Sequence, residues 1–233
     1  VMFFIKNKPV IVNCYHTNNR YCSEVPIKSA ISAMKSRWYQ SVDKSQKSHS
    51  IHGCAGFRDL LSNSFSVSTP FDLELSIHKS PNNDGFNINS DHPDTTQSFR
   101  GAKFLSMHNG DQLGNLCKEK DMSIFKMALP FTLDCSEGIE FMVSPNIWAD
   151  NGMFEEILYT SGVINFKYQH FLNIFFMLKH KENVLNIPYG SNVVLLTPLT
   201  ERKVIFNHIY SVEKYDQFSS DAGSKFRSYF KKK

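Results

Sequence analysis

In the second half of the chain, short apolar runs recur at nearly regular intervals with turn residues between them. The runs are Ile139–Val143, Glu155–Thr160, Leu172–Leu178, Val184–Ile187 and Val193–Pro198. The breaks are Asn151-Gly152, Lys181-Glu182-Asn183 and Pro188-Tyr189-Gly190. Runs this short, closed by Gly, Asn and Pro, suit strands that pair across tight turns, and their rhythm points to a barrel or sandwich. Upstream, Phe65, Val67, Phe71, Leu73, Leu75 and Ile77 alternate with Asp72, Glu74 and Ser76. That is the period of a strand with one buried face. Pro70 within it predicts a bulge or an edge. Twenty Phe and nine Tyr agree with a chain built mainly of strands, because aromatic side chains fit half-buried sheet faces.

The first part is more mixed. Pro9–Tyr15, with Val10-Ile11-Val12 at its centre, predicts an opening strand. Ile27, Ala30, Ile31 and Met34 are spaced as on one face of a helix over Pro26–Met34, and Trp38-Tyr39 follow. Phe57, Leu60 and Leu61 predict a second short helix over Cys54–Leu61. Asp43–Ser50 is a polar loop, and Ser80–Ser98 holds a hairpin tip and an exposed loop, with Pro81-Asn82-Asn83-Asp84-Gly85 as turn chemistry. Ala102–Met107 and Ile124–Leu129 predict strands, with Asn109-Gly110 as a turn. Ser211–Ser219 suits a helix or an extended arm.

The expected organisation is one β-rich domain over 1–205 and a C-terminal arm over 206–233. At 41% hydrophobic residues the chain can bury a core, which excludes global disorder. Five cysteines, Cys14, Cys22, Cys54, Cys117 and Cys135, form no Cys-x-x-Cys pair and read as reduced thiols. Val1–Ile5 is far shorter than a signal-peptide core. No apolar run approaches the ~18 residues of a membrane helix, so no membrane partner is expected. Net charge is +4, with the excess in Lys225, Arg227, Lys231, Lys232 and Lys233. This tail suits solvent, or a weak contact with nucleic acid or an acidic surface.

Certain segments resemble known families. Glu137-Gly138, a strand ending at Pro145, Asn151-Gly152, the run Ser161-Gly162-Val163-Ile164-Asn165-Phe166-Lys167-Tyr168, and Ile187-Pro188-Tyr189-Gly190-Ser191 occur in that order. Over 128–200 this resembles the dUTPase and dCTP-deaminase barrel, the β-clip fold. The resemblance implies a nucleotide pocket with Tyr168 over the sugar and position 165 beside it. The family carries a carboxylate where this chain has Asn165, which cannot act as a base. Its phosphate-gripping Pro-Arg-Ser is Pro145-Asn146-Ile147 here, without the bidentate arginine. Its Gly-Asp-x-x-Ala-Gln turn is Gly190-Ser191-Asn192-Val193-Val194-Leu195. Nucleotide hydrolysis is therefore expected to be lost.

A second resemblance spans about 8–205. It runs from the Pro9–Asn13 strand through Pro26-Ile27, Trp38-Tyr39, Gly53-Cys54-Ala55-Gly56-Phe57 with Asp59, and Phe71-Asp72-Leu73, to the Gly162–Asn165 segment. The chain is similar here to a family of uncharacterised β-rich proteins encoded by large tailed phages, many marine. That family usually has Trp-Trp-Lys where Trp38-Tyr39-Gln40 stand, and Cys-Pro-Gly where Cys54-Ala55-Gly56 stand. The resemblance implies a β-clip, double-barrel or jelly-roll-like architecture with two short N-terminal helices. It also implies a virion protein, such as a capsid decoration, neck or tail component. Such a protein is assembled in the host cytoplasm, with other virion proteins and its own copies as partners. Trp38 and Tyr39 join Asn165 and Tyr168 as candidate binding residues.

No complete catalytic or metal motif emerges. Nine histidines occur, but Asp91-His92 and the His92-Pro93-Asp94 match lie in a polar, proline-containing loop rather than on a strand, so a cupin-type iron oxygenase is the least supported alternative. No Gly-x-Ser-x-Gly elbow or phosphate loop is present, and no basic stripe interleaved with aromatics occurs outside the C-terminal tail. Cys54 near His52 suits a small buried hydrophobe better than a reactive thiol. The sequence thus assigns no catalytic residue, no metal ligand and no cofactor.

Overall fold

Along Val10–His16, positions 10, 12, 14 and 16 are buried while 11, 13 and 15 are more open, so the segment forms a strand, β1, with one face on a core. A computed structural model describes residues 8–33, 50–69, 72–79, 86–89, 98–99, 102–103, 105–108, 122–148, 157–179 and 184–220. In it the protein is mainly β.

In the first sheet, β1 lies between β9 (Met122–Asp134), antiparallel, and β16 (Val204–Tyr210), parallel. β13 (Phe171–Lys179) and β11 (Ile157–Tyr159) extend it beyond β9, and β8 (Leu105–His108) pairs with the first half of β9. The second sheet runs β12 (Gly162–Asn165), β10 (Glu140–Pro145), β15 (Asn192–Pro198), β3 (Phe65–Ser68), β2 (Ile27–Ser29). A third contains β14 (Val184–Ile187), β4 (Leu73–Lys79) and β5 (Phe86–Asn89), and β6 (Ser98–Phe99) pairs with β7 (Ala102–Lys103).

One apolar core joins the three larger sheets, drawing Val12, Phe131 and Phe176 from the first, Phe141 and Val193 from the second, and Leu75 from the third. Phe206 of β16 reaches across to Phe65 of β3 at 4.7 Å and to Phe141 of β10 at 6.0 Å between ring centroids. Burying such rings is the main favourable term holding the sheets together. A smaller cluster of Ala30, Phe57, Leu61 and Leu195 seats α3 (Ala55–Asn63) and α2 (Ala30–Ala33) against the second sheet. Trp148 meets Phe57 edge-on there at 4.7 Å. Helix α1 (Asn19–Glu24) starts at Asn18, whose side chain accepts from Arg20 N–H at 2.8 Å. Helix α4 (212–220) starts after Ser211, whose Oγ accepts from Lys214 N–H at 3.2 Å, an N-cap. Its Tyr215 and Phe218 are buried, Phe218 stacking on Tyr15 at 5.5 Å. Among the described residues, no helix is long and apolar enough to cross a membrane.

Several expectations need correction. The helix over Pro26–Met34 shrinks to Ala30–Ala33, because Ile27 pairs with Val67 and its buried side chain joins the main core. The run from Phe65 to Ile77 is two strands in different sheets, β3 and β4. The strand expected over Ile124–Leu129 does not stop before Pro130, and β9 continues to Asp134. Pro130 has no N–H for the ladder, and it lies between the stretches paired with β8 and β1. Opposite, the β13 register shifts between Phe171 and Asn173, so the missing donor falls at an irregularity. Strands β12 and β16 and helix α1 had no sequence expectation. Position 205, taken as the end of the domain, falls inside β16, a full member of the first sheet. The turns expected at Asn109-Gly110 and Asn151-Gly152 and the loop over Asp43–His49 lie outside the described residues.

The turn at Pro188–Ser191 forms as expected, with Ser191 N–H donating to Pro188 O at 3.1 Å. Gly190 holds a φ of 76° there, a conformation that favours glycine at the third position of a type II turn.

Candidate metal centre

Cys14 and His16 are two apart on β1, so both project from the same face of the strand, into the interior. The parallel register places His208 of β16 directly beside Cys14. These three side chains meet. Cys14 Sγ lies 3.2 Å from His16 Nε2, and His16 Nε2 lies 2.9 Å from His208 Nδ1. One ligand-type atom from each residue fits within a 4.8 Å group. Cys14 and His16 have no solvent exposure, and His208 is half-buried. The Phe131 ring, opposite His16 on β9, packs against the imidazole at 5.5 Å.

The tautomers follow from the partners. His208 Nε2 lies 3.3 Å from the carbonyl of Ile27 on β2, and a carbonyl can only accept, so Nε2 carries the proton. Burial and nearby Lys28 oppose protonation of His208, outweighing the Ile27 carbonyl, so its pKa is lowered and Nδ1 presents a lone pair to His16. Burial, followed by the neighbouring His208, lowers the His16 pKa to about 3. Burial, helped by Cys22 of α1, pushes the Cys14 thiol well up. All three groups are neutral near pH 7. His16 Nδ1 is buried without a partner.

The backbone that delivers Ile27 to His208 is strained. Val25, just after α1, has a φ of 50°, where a β-branched residue is disfavoured by about 1–3 kcal/mol. Pro26 follows and leads into β2. The cluster therefore lies where the edge of the first sheet, β16, meets the edge of the second, β2.

The residues expected from sequence lie elsewhere. Asn165 ends β12, at the opposite edge of the second sheet from β2. Its Nδ2 donates to Gly138 O at 2.8 Å, and its Oδ1 accepts from Lys167 N–H at 3.1 Å. Asn165 thus ties the 165–168 turn to the β9–β10 connection. Tyr168 is half-buried beside it, with Lys167 Nζ 5.8 Å from the ring centre. Asn146 is buried and donates to Ser66 Oγ at 3.1 Å. Trp38, Tyr39, Lys225, Arg227, Lys231, Lys232 and Lys233 lie outside the described residues.

Replacing Asn165 with aspartate is expected to destabilise the fold by about 1–2 kcal/mol, because a carboxylate would face the Gly138 carbonyl with no proton to donate. Urea unfolding monitored by tryptophan fluorescence measures it.

Sequence reading named no metal ligand, yet the structure groups three potential ones. The available signal was Cys14-Tyr15-His16, a Cys-x-His pair on the opening strand. His208 could not be joined to it, because the parallel pairing of β1 with β16 bridges residues 192 or more apart and leaves no local trace. Compared with known proteins, the chain matches no family model and no curated protein.

Proposed function

We propose that this chain is a non-enzymatic structural or accessory protein of a tailed-phage particle, acting through protein–protein surfaces on a β-clip or jelly-roll-like framework. The observation that carries the reading is the role of Asn165. In the segment most like the nucleotide enzymes, it stands where they carry a carboxylate, and both ends of its amide brace the chain. The Pro145-Asn146-Ile147 segment points the same way, since Asn146 is buried against Ser66 rather than offered to a phosphate. Edge strands β11 and β12 carry Leu158 and Val163 at 43% and 62% exposure, and such edges suit contacts with neighbouring subunits. The partners would be other virion proteins and further copies of the chain, in closed symmetry.

Mass spectrometry of purified particles from the phage encoding the chain tests this. The chain is expected in the particles at a fixed ratio to the major capsid protein, and its absence would sink the reading. Calorimetry with dUTP and dCTP at millimolar concentration separates it from the nucleotide-binding alternative. No heat is expected, and saturable heat would favour that alternative.

A further inference from the structure

We propose that Cys14, His16 and His208 form a binding site for one thiophilic d10 metal ion, zinc(II) in first place, that fastens the seam between the two main sheets.

Three geometric observations support it. First, the donor set is one sulfur and two imidazole nitrogens, the set that zinc takes. In a tetrahedral zinc site, bond lengths of about 2.3 Å to sulfur and 2.0–2.1 Å to nitrogen place neighbouring donor atoms roughly 3.3–3.6 Å apart. Here Cys14 Sγ and His16 Nε2 are 3.2 Å apart, and His16 Nε2 and His208 Nδ1 are 2.9 Å apart. Outward shifts of a few tenths of an ångström would admit the ion.

Second, hydrogen bonding alone serves this cluster poorly. A neutral imidazole nitrogen offers one proton or one lone pair. His16 Nε2 faces both a thiol and the lone pair of His208 Nδ1. If it donates to His208, Cys14 Sγ faces the same N–H as a weak acceptor. If it accepts from Cys14, two lone pairs confront each other at 2.9 Å. A cation with the Cys14 proton released to solvent satisfies all three donors together. His16 Nδ1, having no partner, leaves its ring free to adopt the tautomer with Nε2 bare.

Third, His208 already has the outer contact of a metal-bound histidine. Its remote nitrogen is held by the Ile27 carbonyl, which orients the ring and fixes Nδ1 as the ligand atom. That contact also couples the ion to β2. Three protein donors leave a fourth position for water. Proton balance is simple: binding releases one proton, from the Cys14 thiol.

The experiment uses the full chain, stripped with a chelator and titrated with cobalt(II), then zinc(II), with copper(I) in a separate anaerobic arm. Cobalt is expected to give a thiolate-to-metal charge-transfer band and tetrahedral d–d bands at one ion per chain, abolished by zinc. Cys14→Ser should remove the charge-transfer band and weaken zinc binding by more than ~100-fold, beyond the loss typical of an outer-contact change. His208→Gln should weaken binding while keeping the charge-transfer band. Cys54→Ser, at an exposed thiol, is the control and should change neither. Should Cys14→Ser fail to fold by circular dichroism, protection decides instead: zinc should slow alkylation of Cys14 in the wild-type chain, read by peptide mass spectrometry. No saturable binding by the stripped wild type, a thiolate band that survives Cys14→Ser, or no protection of Cys14 by zinc would each overturn the proposal. Tight binding of copper(I) with none of zinc would overturn the choice of zinc.

Discussion

Phe141→Ala is expected to destabilise the protein by about 3–5 kcal/mol, the largest effect of any single substitution considered. Phe141 has no solvent exposure and sits near the start of β10, within the second sheet. Its ring meets Phe166 at 5.0 Å on its own side and Phe206 of the first sheet at 6.0 Å. Truncation removes the transfer energy of a whole ring. It also leaves a cavity that two flanking sheets, each held by its own ladder, cannot collapse to fill. Guanidinium unfolding followed by circular dichroism gives the value. Val163→Ala on β12 is the matched control, because that side chain is 62% exposed and its loss should change stability by less than about 0.5 kcal/mol. Equal effects of the two substitutions would contradict the packing described.

The second large effect is acid sensitivity of the metal-stripped chain. His16 titrates near 6.5 when unfolded and near 3 when folded, because burial and then His208 oppose its charge. Between these values the unfolded chain binds a proton that the folded chain does not. Stability therefore falls as pH falls through this window, by about 1.4 kcal/mol per unit once well inside it. From pH 6.5 to 5 the loss from His16 is about 1.6 kcal/mol. His208, also lowered, acts in the same direction. The Cys14 thiol remains protonated throughout and adds nothing. Urea midpoints at several pH values between 5 and 7 measure the slope, above the range where most carboxylates titrate. In His16→Gln the slope should be much flatter, and an unchanged slope would show that His16 is not the group responsible.

These effects differ in how far the sequence foretells them. The β-branched run Val10-Ile11-Val12 is a local property of the chain, and β1 forms where it says. The same holds for β13, β14 and β15, whose apolar runs end at turn residues, and for Gly190, whose turn needs no distant partner. Helix α3 follows from Phe57 and Leu61 on one face. Ile27 shows the opposite case. Its spacing with Ala30 and Ile31 suits a helix, but pairing with Val67 and burial in the main core outweigh that weak local preference. Likewise β12, Gly162–Asn165, is too short to stand out and forms against β10; Val204–Tyr210 is apolar enough to read as a strand, but nothing local shows that it pairs in parallel with β1.

The sequence by itself determined that this protein is mainly β, because period-two burial and turn chemistry act over a few residues. It also determined that position 165 is an amide and not a carboxylate, since that is a matter of residue identity. Only the tertiary structure decided which strands are neighbours. Parallel pairing of β1 with β16 joins the two ends of the described fold, and no short-range pattern encodes a contact of that span. The grouping of Cys14, His16 and His208 depends on that pairing. The strand period puts Cys14 and His16 on one face, but the third donor arrives from a strand whose place beside β1 only the assembled sheet decides.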